Sequence, residues 1–190
     1  PRTWGAMGWV TVLSSILGTV LYTAALGKIN YIQFSVVVLL QQMQPLFVVL
    51  FAHLVLKEHT SKTFFVWLAL ALIGAYFVSF PTLSVNLSTG SGTVIAALFA
   101  IGAAFCWGSS TAFSRYALLQ LPSTLVTGLR FGLAALAGFF ILALTGQGKQ
   151  LYAINESQLL VLIVIALTTG MVALAIYYRG LKGTQAWVSA

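Results

Sequence analysis

Six apolar stretches set the plan of the chain: residues 4–26, 32–56, 64–80, 93–114, 125–145 and 158–178. A helix needs about 17–25 apolar residues to cross a bilayer core of roughly 30 Å at ~1.5 Å per residue, so most of them qualify and 64–80 sits at the short limit. Short polar connectors separate them (GKINY, KEHTSK, PTLSVNLSTGSG, RYALLQLPS, GQGKQLYAINES), with Pro81 and Pro122 at boundaries and Gly90, Gly92, Gly146 and Gly148 loosening the loops. The pattern predicts an all-α membrane protein, a polytopic helical bundle.

The second stretch carries no formal charge between 32 and 56, yet places Gln41, Gln42, Gln44 and Pro45 at its middle. Pro45 has no N–H, so the Gln41 carbonyl loses its donor and the helix is expected to bend there. Gln41 shares a face with Gln44 and Pro45 at i+3 and i+4, while Gln42, turned away by about 100°, reads as structural. Carboxamides and free backbone at the bilayer midplane are costly against lipid and tolerated against protein or a wet cavity. Gln41, Gln44 and Pro45 are therefore expected to line a solute path; the alternative is that the glutamines join helices by hydrogen bonds.

Trp107, Thr111 and Ser114 also share a face, with Ser110 at its edge. They either line the same path or pack, with their hydroxyls bonded back to i−4 carbonyls. Arg130 lies inside its span near one end, where an arginine either snorkels and pairs at the interface or meets an anionic group on a solute. Gly128-x-x-x-Gly132 and Ala134-x-x-x-Gly138 are expected to smooth one face of the fifth stretch for close helix contact.

Composition removes the soluble alternatives. Hydrophobic residues make up 60% of the chain, charged residues 6%, and mean hydropathy is +1.01, against about 25% charged in soluble domains. The net charge of +7 sets nine Lys and Arg against Glu58 and Glu156 alone, which in a membrane protein points to basic cytoplasmic loops and not to nucleic acid. Taking the spans in alternation, Arg2, Lys57, Lys62, Arg115, Arg179 and Lys182 fall on one side, Lys28 and Lys149 on the other. Loop 57–62 is thus expected in the cytoplasm and loop 81–92 outside, with Glu58 paired to Lys57, Lys62 or His59. With two acids, two histidines and the single Cys106, there is no carboxylate pair, HExxH or Cys/His cluster, and no glycine-rich phosphate loop. No catalytic residue, metal site or cofactor is expected. The chain opens without methionine and stops as another apolar stretch begins, so the expectation is a fragment.

The end of the first stretch, LYTAALGKINYIQFS, is echoed by IYYRGLKGTQAWVSA after the sixth, with Tyr22 and Leu26 matching Tyr177 and Leu181 at one offset. Such a period suggests duplicated halves, antiparallel because an odd number of spans separates them. Tyr22-x-x-Ala-Leu26, the central Pro45, Leu56-Lys57-Glu58 and Gly74, followed by Trp107-Gly108, Arg115, Pro122 and Arg130-Phe131, resemble two successive EamA domains of the drug/metabolite transporter superfamily. Lys57 departs from the glycine usual in that family.

The resemblance implies a ten-helix transporter with two inverted five-helix repeats. Residues 1–80 would be the C-terminal part of the first repeat, 81–92 an external linker, and 93–190 the N-terminal part of the second. It implies alternating access that exports or exchanges a small metabolite across a bacterial inner (plasma) membrane. Its partners would be a small-molecule substrate, the lipid bilayer and further helices of the same protein. The candidate path residues are Gln41, Gln44, Pro45, Trp107, Ser110, Thr111 and Arg130, with the paired tyrosines Tyr22 and Tyr177, which approach opposite membrane faces. The rival readings are a structural or assembly membrane protein and a lipid flippase.

Overall fold

The computed structural model describes residues 2–28, 34–79, 91–146, 148 and 154–189. Helix α1 (Arg2–Trp9) runs into a π-helical segment, Val10–Gly18, and on into α2 (Thr19–Leu26) as one rod. Helix α3 (Phe34–Gln41) is followed after a two-residue turn by α4 (Gln44–Leu56), then by α5 (Lys62–Ser79), α6 (Ser91–Leu118) and α7 (Ser123–Thr145). Helix α8 (Glu156–Ile165), a second π-helical segment (Ala166–Val172) and α9 (Ala173–Gly183) form the last rod, ahead of a short 3-10 turn, Ala186–Ser189. Among the described residues there is no strand. Five rods, Arg2–Leu26, Phe34–Leu56, Gly92–Leu118, Ser123–Thr145 and Glu156–Gly183, are long and apolar enough to cross a membrane, and the apolar part of α5 is shorter. The fold is an all-α polytopic membrane bundle. Of the expected external linker, 81–90 lies outside the described residues, as does Lys149, and Ser91 and Gly92 already belong to α6.

Local chemistry sets the helix ends. Lys57 adopts a left-handed conformation (φ 55°), so that the Glu58 N–H turns back to the Ala52 carbonyl at 3.1 Å. Glycine meets that geometry without steric cost, which explains its suitability at this position. Asn155 caps α8 reciprocally with Gln158: its side chain accepts the Gln158 N–H at 2.8 Å, and Gln158 Oε1 accepts the Asn155 N–H at 3.2 Å. The helix therefore starts before residue 158, where the apolar pattern alone begins it.

Helix α6 is the axis of the bundle, packed by the α1–α2 rod, α3 and α4. Small residues make this possible: Ala96, Ala100, Ala103, Ala104 and Ala112 on α6 are all buried. The tightest approach is at Gly108, where a Cβ would stand 2.6 Å from the Phe47 Cβ and 2.8 Å from the Gln44 carbonyl oxygen. Gly128, Gly132 and Gly138, expected to smooth a helix contact on α7, instead meet no described atom within 4 Å. The close contacts fall on α6 because it is the element surrounded by others. The outer face of α7, with Leu136, Phe139, Phe140 and Leu144, stays exposed, as surfaces in a bilayer do.

Two further features bear on organisation. Shifting Ala166–Val172 back by 155 residues, the spacing of Tyr22 to Tyr177 and Leu26 to Leu181, lands it on 11–17, inside Val10–Gly18. At one end of the bundle, Arg115 Nε donates to Glu58 Oε1 at 2.6 Å and Nη1 to the Leu181 carbonyl at 2.6 Å, while Glu58 Oε2 accepts the Ala186 N–H at 2.9 Å. Glu58 thus pairs with Arg115 and not with Lys57, Lys62 or His59, because the left-handed turn at Lys57 aims it across the bundle. Lys182, whose ammonium donates to the Leu121 carbonyl at 3.4 Å, and Thr3, bonded to Gln120, gather at the same end.

Candidate functional site

A cavity of about 360 Å³ opens between the first rod, the α3–α4 break, α6, α7 and α9. Its size falls within the range of small-molecule sites, roughly 300–1,000 Å³. Gln44 and Pro45 border it from the break, Trp107, Ser110 and Thr111 from α6, Arg130 from α7 and Tyr177 from α9. A depression between Leu39, Leu40, Leu72 and Tyr76 on α3 and α5 is apolar by contrast.

The break explains which glutamines reach the cavity. With Pro45 at the start of α4, α3 ends at Gln41 and Gln42–Met43 form a turn, held by Gln42 N–H to the Val38 carbonyl at 3.1 Å and Met43 N–H to the Leu40 carbonyl at 3.2 Å. The expected 100° rotation of Gln42 presupposes a continuous helix. In the turn Gln42 comes onto the cavity wall instead, correcting its reading as structural. Gln41 does not border the cavity: its Nε2 donates to Gln44 Oε1 at 3.1 Å and so fixes the Gln44 carboxamide. The proline break takes the form of a two-residue turn inside the span Phe34–Leu56.

Trp107 is anchored from both sides. Its Nε1 donates to the Ser14 carbonyl at 3.1 Å, and Tyr22 packs on it with ring centroids 5.3 Å apart. Tyr22 backs this wall without bordering the cavity, unlike Tyr177. Gly18 admits the indole, since a Cβ there would stand 2.8 Å from Trp107 Nε1. The Thr111 hydroxyl donates to the Trp107 carbonyl at 3.1 Å within its own helix, and Ser114 pairs with the Tyr178 hydroxyl at 2.8 Å. Ser110 is only 2% exposed, and its hydroxyl has no partner.

Arg130 neither snorkels to the end of the bundle nor meets a carboxylate. Its Nη2 donates to Ser14 Oγ at 2.7 Å, Nη1 to the Tyr178 hydroxyl at 2.7 Å, and Nε to Ser15 Oγ at 3.3 Å. The guanidinium also lies 5.8 Å from the centre of the Tyr178 ring. All three hydrogen-bond partners are neutral. Of the two acids in the chain, Glu58 is held by Arg115, and Glu156 opens α8. Ser14, Ser15 and Tyr178 were missed as site residues. The signal for the serines was present, two adjacent hydroxyls inside an apolar span; nothing in the sequence pairs them with Arg130, which is 115 and 116 residues away.

Residues 1–80 and 94–190 match the EamA-like transporter family. The chain is also similar to the riboflavin transporter ImpX of Fusobacterium nucleatum subsp. nucleatum, 31% identical over 180 residues, which is 95% of this chain and 60% of that protein. The chain therefore spans about three fifths of the length of that curated relative. No solved structure matches.

Proposed function

The chain belongs to the EamA-like transporter family, and from that membership we propose that it forms the solute-binding heart of a secondary-active carrier working by alternating access. Residues 1–80 and 93–190 belong to two inverted halves joined through 81–92, which rock about the cavity. The shared register of the two π-helical segments supports such a duplication. The solute sits against Gln44, Gln42, Trp107 and Ser110, Gln41 steadies Gln44, and Pro45 interrupts the helix so that these groups face inward. The end holding Arg2, Lys57 and Arg115 faces the cytoplasm of a bacterial inner membrane, as the excess of basic residues there supports, and transport is export or exchange.

The observation that carries this reading is the polar wall itself: a cavity bordered by carboxamides, hydroxyls and a guanidinium inside a bundle that exposes many large apolar side chains. An assembly role for the glutamines is less well supported, because the bond between Gln41 and Gln44 lies within one span and joins no neighbouring helix. The relative's printed solute makes riboflavin the first compound to test, and Trp107, Tyr177 and Tyr178 suit a flat heteroaromatic ring. The test is riboflavin counterflow in proteoliposomes of the full-length protein. Gln44→Leu is expected to abolish it with normal yield and melting temperature; an unchanged rate would refute the assignment, and a collapsed melting temperature would favour the structural reading.

A further inference from the structure

Arg130 combines three conditions not found together at the other arginines described in detail. It borders the cavity, its charge has no carboxylate partner, and it is held in place by neutral hydroxyls. A guanidinium carries five N–H donors in a planar fork. Ser15, Tyr178 and Ser14 take one each from Nε, Nη1 and Nη2, which leaves one N–H on each terminal nitrogen. The donors left on the two terminal nitrogens can be met by the oxygens of a carboxylate or phosphate. The hydroxyl partners fix the fork in advance, so little rotamer freedom is lost when an anion arrives.

Ser110 is a second, independent sign. Its hydroxyl is buried at the edge of the same cavity and has no hydrogen-bond partner among the described residues. A buried hydroxyl left unpaired is destabilising, and an incoming acceptor relieves that cost. A solute without charge would leave the guanidinium without a counter-charge, since Glu58 is held by Arg115 and Glu156 opens α8.

We infer that Arg130, seated on Ser14, Ser15 and Tyr178 and assisted by the unpartnered Ser110, forms an anion subsite that receives a carboxylate or phosphate of the transported solute. The inference rests on the carrier reading and narrows it from small solutes in general to anionic ones. The full-length protein is purified in a detergent free of phosphate, and its melting temperature is followed against sodium phosphate, sodium acetate and acetamide, the salts at the ionic strength of a sodium chloride control. Phosphate or acetate should raise the melting temperature saturably and acetamide should not; which of the two salts acts identifies the group. Arg130→Gln should weaken half-saturation roughly 30-fold or more, and Arg130→Lys should retain part of the effect.

Ser110→Ala removes no existing hydrogen bond, so it keeps the test open if Arg130→Gln fails to fold; it should weaken the anion about two- to tenfold. No anion-dependent rise, or a rise equal in the wild type and the variants, overturns the subsite. Counterflow of riboflavin and of its phosphate ester in the same preparations reads the carrier separately, with and without an anionic group on the solute. Intact transport without an anion effect sinks the subsite alone, whereas an Arg130-dependent anion effect without transport of any solute tested sinks the carrier reading and leaves the subsite standing.

Discussion

Arg115 and Arg130 reach into one bundle from neighbouring helices, and their surroundings are opposites. Arg115 meets a carboxylate at 2.6 Å and a backbone carbonyl at 2.6 Å, with only 12% of its side chain exposed. Its partner Glu58 uses its second oxygen on the Ala186 N–H, so the charges cancel and three chain segments are tied together. Arg130 meets three hydroxyls and no opposite charge. A cancelled pair binds segments permanently, whereas an uncancelled charge, already oriented, suits a partner that comes and goes. Of the two acids in this chain, Glu58 is taken by Arg115 and Glu156 opens α8.

The contrast is most directly broken by Glu58→Ala, which turns Arg115 into a second uncompensated arginine. Removing one partner of a largely buried pair costs on the order of 3–5 kcal/mol, to be read as lost stability in chemical denaturation in detergent. Adding Arg115→Met should recover part of that loss. Arg130→Gln should instead act on anion binding and transport.

A middle-sized effect comes from Gly108→Ala. The added methyl would meet the Phe47 Cβ and the Gln44 carbonyl at under 3 Å, and overpacking of this kind costs about 1–3 kcal/mol. Because α4 carries Gln44, counterflow should fall along with stability; a variant that melts normally and transports normally would show that the helices part without consequence.

Lys57→Gly is the smallest and the only stabilising change. A left-handed lysine costs about 1–2 kcal/mol, and glycine gives back ~0.4–1 kcal/mol of that through unfolded-chain entropy. The net gain should be roughly 0.5 kcal/mol, with the Glu58–Arg115 pair undisturbed and the anion response unchanged. A loss of stability would mean that the turn aiming Glu58 depends on the lysine side chain.

The spans were legible because the bilayer as solvent writes a strong signal, some twenty residues with hardly a charge. Gln44, Trp107 and Arg130 stood out for the same reason, as polar or amphipathic groups in apolar surroundings. The orientation of Gln42 was not legible, since it depends on whether the helix survives Pro45. Sequence also hid the π-helical segments, whose backbone bonding depends on what packs beside them, and the reach of Glu58 to Arg115 across 57 residues. The spacing of glycines on α7 states where that helix is smooth, and among the described residues no neighbour meets it there. The Asn155 and Gln158 cap was readable and simply outweighed by the apolar pattern.

Where α4 crosses α6 at Gly108, two backbones meet with almost nothing between them. Such a junction has no cushion to shear, so α4 cannot slide along its neighbour without riding over the Phe47 and Gln44 atoms that press on it. Tilting is the freedom that remains. With that contact beside the proline break, Gln44 lies at the pivot and the Leu56 end at the far tip, so a tilt of α4 would displace the Glu58 end far more than the cavity wall.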